Sequence, residues 1–197
     1  MTFVVEFITL AMTAIFLENL VLSRALGSSR VIRAINGGKH ILWFGSLLTI
    51  ITTLSSVATY FVNEFWKGTK TTNEYRPFMF VVAISLVYFL VYFFFKFAFP
   101  ALHKKIGEVL TLATFNCALL GSLFLAADQN FSLVKSMGFG FGSGIGFTLA
   151  TLLVMEGKRR LLLCEVPKAF KGFPVTLMYL GLVALAMYGL VGHQLPF

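Results

Sequence analysis

The sequence predicts an all-α integral membrane protein of six transmembrane helices, arranged as two inverted three-helix repeats. Composition is the first reason. Of the 197 residues, 58% are hydrophobic and 23 are Phe, whereas soluble globular chains run nearer about half apolar. Segment length is the second. Six apolar stretches, approximately 2–22, 40–64, 78–99, 108–127, 137–156 and 175–192, approach the roughly 20 residues needed to cross about 30 Å of hydrocarbon as a helix. They are too long and too uniformly apolar for barrel strands, and only helices or closed barrels satisfy the backbone in lipid. Charge placement is the third. Twelve of the sixteen basic residues (Arg24, Arg30, Arg33, Lys39, Lys96, Lys104, Lys105, Lys158, Arg159, Arg160, Lys168 and Lys171) fall on or beside the odd connections, leaving Lys67, Lys70, Arg76 and Lys135 for the other side. The positive-inside bias then makes the odd connections cytoplasmic and both termini extracytoplasmic. The net charge of +8 is thus a topology signal that also favours anionic membrane lipid. It does not call for nucleic acid.

Taken in order, the first stretch, "MTFVVEFITLAMTAIF", has no basic n-region and carries Glu6, so it reads as a span and not as a cleaved signal. A polar outer loop, "KGTKTTNEYRP", ends in Pro77, placed to open the third span, and Pro100 stops that helix. In "MGFGFGSGIGF" the glycines 138, 142 and 146 fall on one helical face and 140 and 144 on another. That spacing lets neighbouring backbones approach from two sides, so the fifth span is expected to be wedged between others. No nucleotide loop is implied, because no strand precedes it. No linker divides the chain, which is expected to be a single membrane domain over 1–197, with repeat one about 1–100 and repeat two about 101–197.

Evidence for the repeat is a shared pattern. "LENLVLSRALG" in span one and "TFNCALLG" in span four each place a Leu three residues after an Asn and a Gly beyond it. The two spans enter from opposite sides, as inverted halves do, and such folds put their working site at the repeat interface near the midplane. Cys117 lies nine residues after Glu108, or roughly 13–14 Å along a helix, close to the midplane. A buried Cys is commonly just a small hydrophobe. Asn116 beside it is different, since a buried amide needs several partners. Cys164 falls in a cytoplasmic connection, away from Cys117. In span one, Glu6 near the outer end is wetted or paired, while Glu18 is the candidate for an ion pathway or for a structural pair with Arg24. His40, His103 and His193 lie at span ends without metal-ligand spacing and are read as interfacial.

Four segments in this order resemble the RnfA subunits of the RnfA/RnfE/NqrD/NqrE family: "ENLVLSRALG", "TLATFNCALLGSLFLA", "MGFGFGSGIGF" and "EVPKAFKGFPVTLMYLGLVALAMYGLVG". The resemblance covers essentially the whole chain. It implies a membrane subunit of an Rnf complex in the bacterial cytoplasmic (inner) membrane, one part of an ion-translocating ferredoxin:NAD oxidoreductase. In that family such a chain and an RnfE-like homologue of inverted orientation hold a [2Fe-2S] cluster within the membrane, each giving two cysteines, with RnfB, RnfC, RnfD and RnfG as further partners. Cys117 matches one of those cysteines, which makes it the metal ligand, with Asn116 and Asn19 shaping the cofactor site. At the position of the other cysteine this chain has Ser29, and serine oxygen is a poor substitute for sulfur on an iron cluster. The resemblance also implies interrupted first and fourth helices, with the first turning back near Gly27 so that Ser29 reaches mid-depth.

This chain carries no flavin attachment motif and no NAD-binding loop, so partners must supply those parts. Two other readings stay open: a cluster-less scaffold or ion-conduction subunit, and an unrelated small-solute or ion permease using Glu18, Asn19 and Asn116.

Overall fold

A computed structural model describes residues 2–29, 31–32, 41–66, 72–98, 107 and 109–191. The three histidines, Pro100, Glu108 and the loop bases Arg30, Arg33, Lys39, Lys67, Lys70, Lys104 and Lys105 lie outside them. The described residues are helical with no strand. In chain order they form α1 (Thr2–Met12), a π-helical turn (Thr13–Leu17), α2 (Leu20–Arg24), α3 (Ile41–Trp66), α4 (Thr72–Ala98), α5 (109–114), α6 (Cys117–Asp128), α7 (Leu133–Leu161) and α8 (Phe173–Val191).

Three of these helices are long and apolar enough to cross a membrane: Ile41–Phe65, Tyr75–Phe97 and Leu133–Leu161. Shorter apolar helices occupy Phe3–Leu17, Cys117–Asp128 and Phe173–Gly189. Burial separates the long ones by role. The apolar window of α7 is 61% buried and that of α4 only 28%, so α7 is the central post and α4 lies at the periphery.

What surrounds α7 follows from its glycines. A Cβ on Gly138 would meet the backbone of Phe7, one on Gly142 the backbone of Ala11, and one on Gly146 the backbone of Ala14 and Ile15. Both numbers rise together, so α1 runs parallel to α7 along this face. On the other face Gly140 meets Thr52 and Ser56, Gly144 meets Thr49, and Gly45 of α3 meets Thr148. Here the numbers run oppositely, so α3 is antiparallel to α7. The two glycine faces expected from the sequence therefore hold two different helices at backbone contact, where lipid tails offer no hydrophobic drive and close packing must substitute for it.

α3 brings a column of hydroxyls into this contact without leaving most of them bare. Thr49, Thr52, Thr53, Ser56 and Thr59 each donate to the carbonyl four residues back, at 2.7–2.9 Å. This internal bonding makes a polar side chain tolerable in an apolar interior. Ser55 Oγ is buried without a partner.

Two local expectations are corrected. Pro77 lies inside α4, which begins at Thr72, and does not open it. Without an N–H, Pro77 removes one backbone hydrogen bond from the second turn of α4 back to the first. Arg76, read as a loop base, is instead a clamp. It donates to Asp128 at 2.7 Å and to Asn63 Oδ1 at 3.0 Å, tying the start of α4 to the ends of α3 and α6.

Candidate functional site at the two helix breaks

The first apolar stretch does not run as one helix. After α1 the hydrogen bonding widens into the π turn, closed by Glu18 N–H donating to Thr13 O at 2.8 Å. The helix then stops at Glu18 and restarts as α2 after Asn19. Asn19 is 1% exposed, and all its amide capacity is engaged. Its Oδ1 accepts from Val21 N–H at 3.1 Å and Leu22 N–H at 3.3 Å, while Nδ2 donates to Ile15 O at 3.0 Å and Gly146 O at 2.9 Å. One side chain thus caps α2, satisfies the end of the π turn and ties the break to α7. The interruption precedes the one expected at Gly27, because an Asn side chain competes for the helix N–H groups, a local effect to which hydropathy is blind.

The chain turns again after α2. Ala25 has φ 56° and Gly27 φ 78°, the second being the left-handed region that only Gly occupies without strain. Gly27 is also sterically fixed, since a Cβ there would lie 2.7 Å from the Phe147 ring and 3.1 Å from Asn116 Oδ1. Helical geometry resumes at 28, with Val31 N–H donating to Gly27 O at 3.0 Å. Ser29 is exposed on this turn.

The second break is at Phe115–Asn116, between α5 and α6. Asn116 caps α6 by accepting Ala118 N–H at 3.2 Å, and it is 4% exposed. Its Nδ2 is buried and donates to nothing. Cys117, the first residue of α6, is a free and exposed thiol whose Sγ accepts Gly27 N–H at 3.1 Å. The two breaks are thus joined across the structure by one N–H to sulfur bond.

Their depth follows from α7. Asn19 bonds to Gly146 and Gly27 packs on Phe147, both at the middle of Leu133–Leu161. At 1.5 Å per residue that is roughly 20 Å from either end of α7.

The structure therefore brings together Asn19, Gly27, Asn116 and Cys117, with exposed Ser29 two residues from the Gly27 contact. Glu18 sits at the first break with Oε2 buried and unpartnered. It forms no ion pair with Arg24 among the described residues, and Arg24 is exposed. Glu6 lies 3.9 Å from Lys135, with both side chains about two-fifths exposed (42% and 41%). Cys164 is exposed and contacts Arg160 O at 3.5 Å, away from these groups. Sequence reasoning missed the Gly146 carbonyl and the Gly27 N–H as partners of this site. The glycine at 27 and the glycine run of α7 were the sequence signals available, and neither names its partner. Among the described residues no three His, Cys, Asp or Glu side chains converge as a metal site.

Fold and site define a class: a helical membrane protein whose two broken helices meet halfway along a glycine-faced central helix. The chain belongs to the family described as Rnf-Nqr subunit, membrane protein, whose match spans residues 7–193. It is 32% identical over 179 residues (91% of this chain, 93% of the relative) to the A subunit of the ion-translocating oxidoreductase complex of Syntrophotalea carbinolica. It is 31% identical over 188 residues (95% and 98%) to the A subunit of the Na(+)-translocating ferredoxin:NAD(+) oxidoreductase complex of Acetobacterium woodii. The A subunit of the ion-translocating oxidoreductase complex of Azoarcus sp. matches at 31% over 187 residues (95% and 97%).

Proposed function

We propose that this chain is the A-type membrane subunit of an Rnf complex, in which electron transfer between ferredoxin and NAD is coupled to translocation of Na⁺ or H⁺. In this reading the chain crosses the bacterial inner membrane six times as two inverted halves, with both termini extracytoplasmic. It faces an RnfE-like homologue across the broken-helix site, and Cys117 is its thiolate ligand to a shared [2Fe-2S] cluster. The observation that carries the reading is the Gly27 N–H donated to Cys117 Sγ at the meeting point of the breaks.

The donor set suits a shared cluster and not a resident one. Cys117 is exposed, so a neighbouring subunit can reach it, and no second thiol stands near it in this chain. Its thiol stands at the N-terminus of α6 and accepts a backbone N–H from Gly27. Hydrogen bonds to sulfur are among the features that set a cluster's potential. When bound, the cluster supplies one-electron transfer. The chain's own residues do the rest: Asn19 and Asn116 hold the broken backbone, Gly27 orients the sulfur, and α7 keeps both breaks at mid-depth. Non-helical backbone at such depth is tolerated only where protein shields it or a cavity is lined.

The test uses the purified complex. Iron, acid-labile sulfide and the electron paramagnetic resonance signal of a membrane cluster are measured with the wild-type chain and with Cys117→Ser. The reading expects the signal in the first and its loss in the second. A second reading, a scaffold or conduction subunit without a cluster, rests on Ser29 standing where the family's other cysteine is expected. It gains if the wild-type complex has no such signal and Cys117→Ser keeps full activity.

A further inference from the structure

Glu18 is the one charged side chain at the first break among the described residues, and the structure gives its buried oxygen nothing to interact with. Oε2 is enclosed by protein and receives no hydrogen bond. The basic residues near enough in sequence or along α1 are otherwise placed: Lys135 lies with Glu6 toward the start of α1 and α7, and Arg24 is exposed on α2. Depth is fixed by the neighbouring residue, since Asn19 bonds to Gly146 at the middle of α7. A carboxylate at mid-depth is costly and persists only when paired or when it serves an ion or proton path.

The surroundings explain why this oxygen is left bare. Asn19 takes up Ile15 O, Val21 N–H and Leu22 N–H itself, and Glu18's own N–H goes to Thr13 O. None of these groups bonds to the carboxylate. The compensating charge must arrive from outside the chain, and within a protein-shielded break the particle that fits is a small monovalent cation.

We propose that Glu18 is a cation-exchange carboxylate on the ion path of this subunit, holding H⁺ or Na⁺ at mid-depth beside the broken first helix. The site rests on the reading that the complex moves ions, and it is independent of whether Cys117 holds a cluster.

The experiment treats the whole purified complex with dicyclohexylcarbodiimide, which modifies protonated carboxyls in apolar surroundings, and locates the adduct by peptide mass spectrometry. Glu18 is expected to be labelled, with labelling falling as pH rises. Protection by NaCl but not KCl at fixed pH identifies Na⁺ as an occupant, while indifference to Na⁺ leaves H⁺ alone. In proteoliposomes, Glu18→Gln is expected to lower the number of ions moved per electron, as removal of an intramembrane ionisable group on an ion path should, and Glu18→Asp to retain part of the ratio. Co-purification of the other subunits with each variant shows that assembly is intact. The proposal fails if Glu18 is never labelled, if labelling ignores both pH and Na⁺, or if the assembled Glu18→Gln complex keeps the wild-type ratio. Cluster spectra of the same samples report separately on Cys117, so loss of one reading leaves the other standing.

Discussion

The two helix breaks use the same residue to opposite ends. At the first, Asn19 makes four bonds to backbone groups, and the interruption is closed. At the second, Asn116 makes one capping bond and leaves a buried NH₂ unpaired beside an exposed thiol. Both asparagines precede a restarted helix, so both serve as caps. The difference shows which asparagine is wholly committed to this chain's own backbone and which keeps a group open to something else. A buried amide donor without a partner is rare enough in folded proteins to need a reason, and the proposed cluster shared with another subunit would supply one.

The largest effect that would sharpen this contrast is at Asn19. Replacing it with Ala removes the cap of α2, takes the acceptor from the Val21 and Leu22 N–H groups at mid-depth, and cuts the tie to Gly146 O. Caps are worth about 1 kcal/mol, and stranded buried polar groups add about 1–3 kcal/mol. Asn19→Ala should therefore cost about 2–3 kcal/mol net, partners in the relaxed state recovering some of the loss. Thermal unfolding of the complex in detergent measures it. A midpoint unchanged from wild type would mean that the first break does not hold the fold.

Asn116→Ala should cost less. Only one N–H, that of Ala118, loses its acceptor, and a buried unpaired donor disappears at the same time. The expected loss is about 1 kcal/mol or below, with a larger effect on any cluster signal than on the melting midpoint. A destabilisation matching that of Asn19→Ala would erase the distinction between a closed and an open break.

How much of this was legible in the sequence depends on how local the cause is. The two faces of glycines 138–146 were readable because helical spacing alone assigns them, and each face met its own helix. The Asn–Leu–Gly pattern was read as a repeat, and the structure shows that both of its asparagines cap a restarted helix. The position of the first break was not readable from hydropathy, which carries the apolar run past Glu18 to Leu22 without a mark. The clamp of Arg76 on Asn63 and Asp128 was also hidden, because those residues meet only through the tertiary fold. Likewise the partner of the Cys117 sulfur lies 90 residues away, at a glycine whose significance comes from φ and from the ring of Phe147.

The smallest structural perturbation carries the most functional information. Ser29 is exposed on a helical turn, so Ser29→Cys should leave stability within about 0.5 kcal/mol of wild type, as for surface substitutions generally. Its consequence for the open break is expected to be larger. If Cys117 and the partner subunit hold an incomplete ligand set, a thiolate at 29 adds the missing sulfur, and four sulfurs are the ordinary requirement of a [2Fe-2S] centre. The cluster of the variant complex should then survive dilution and chelator longer than that of wild type, read as slower decay of its resonance signal. The double variant Ser29→Cys with Cys117→Ser should lose that gain, since it returns the chain to one thiolate and removes the sulfur that Gly27 orients. Equal decay in wild type and Ser29→Cys would mean that residue 29 does not face the cluster, and that the open break is completed by groups of the partner alone.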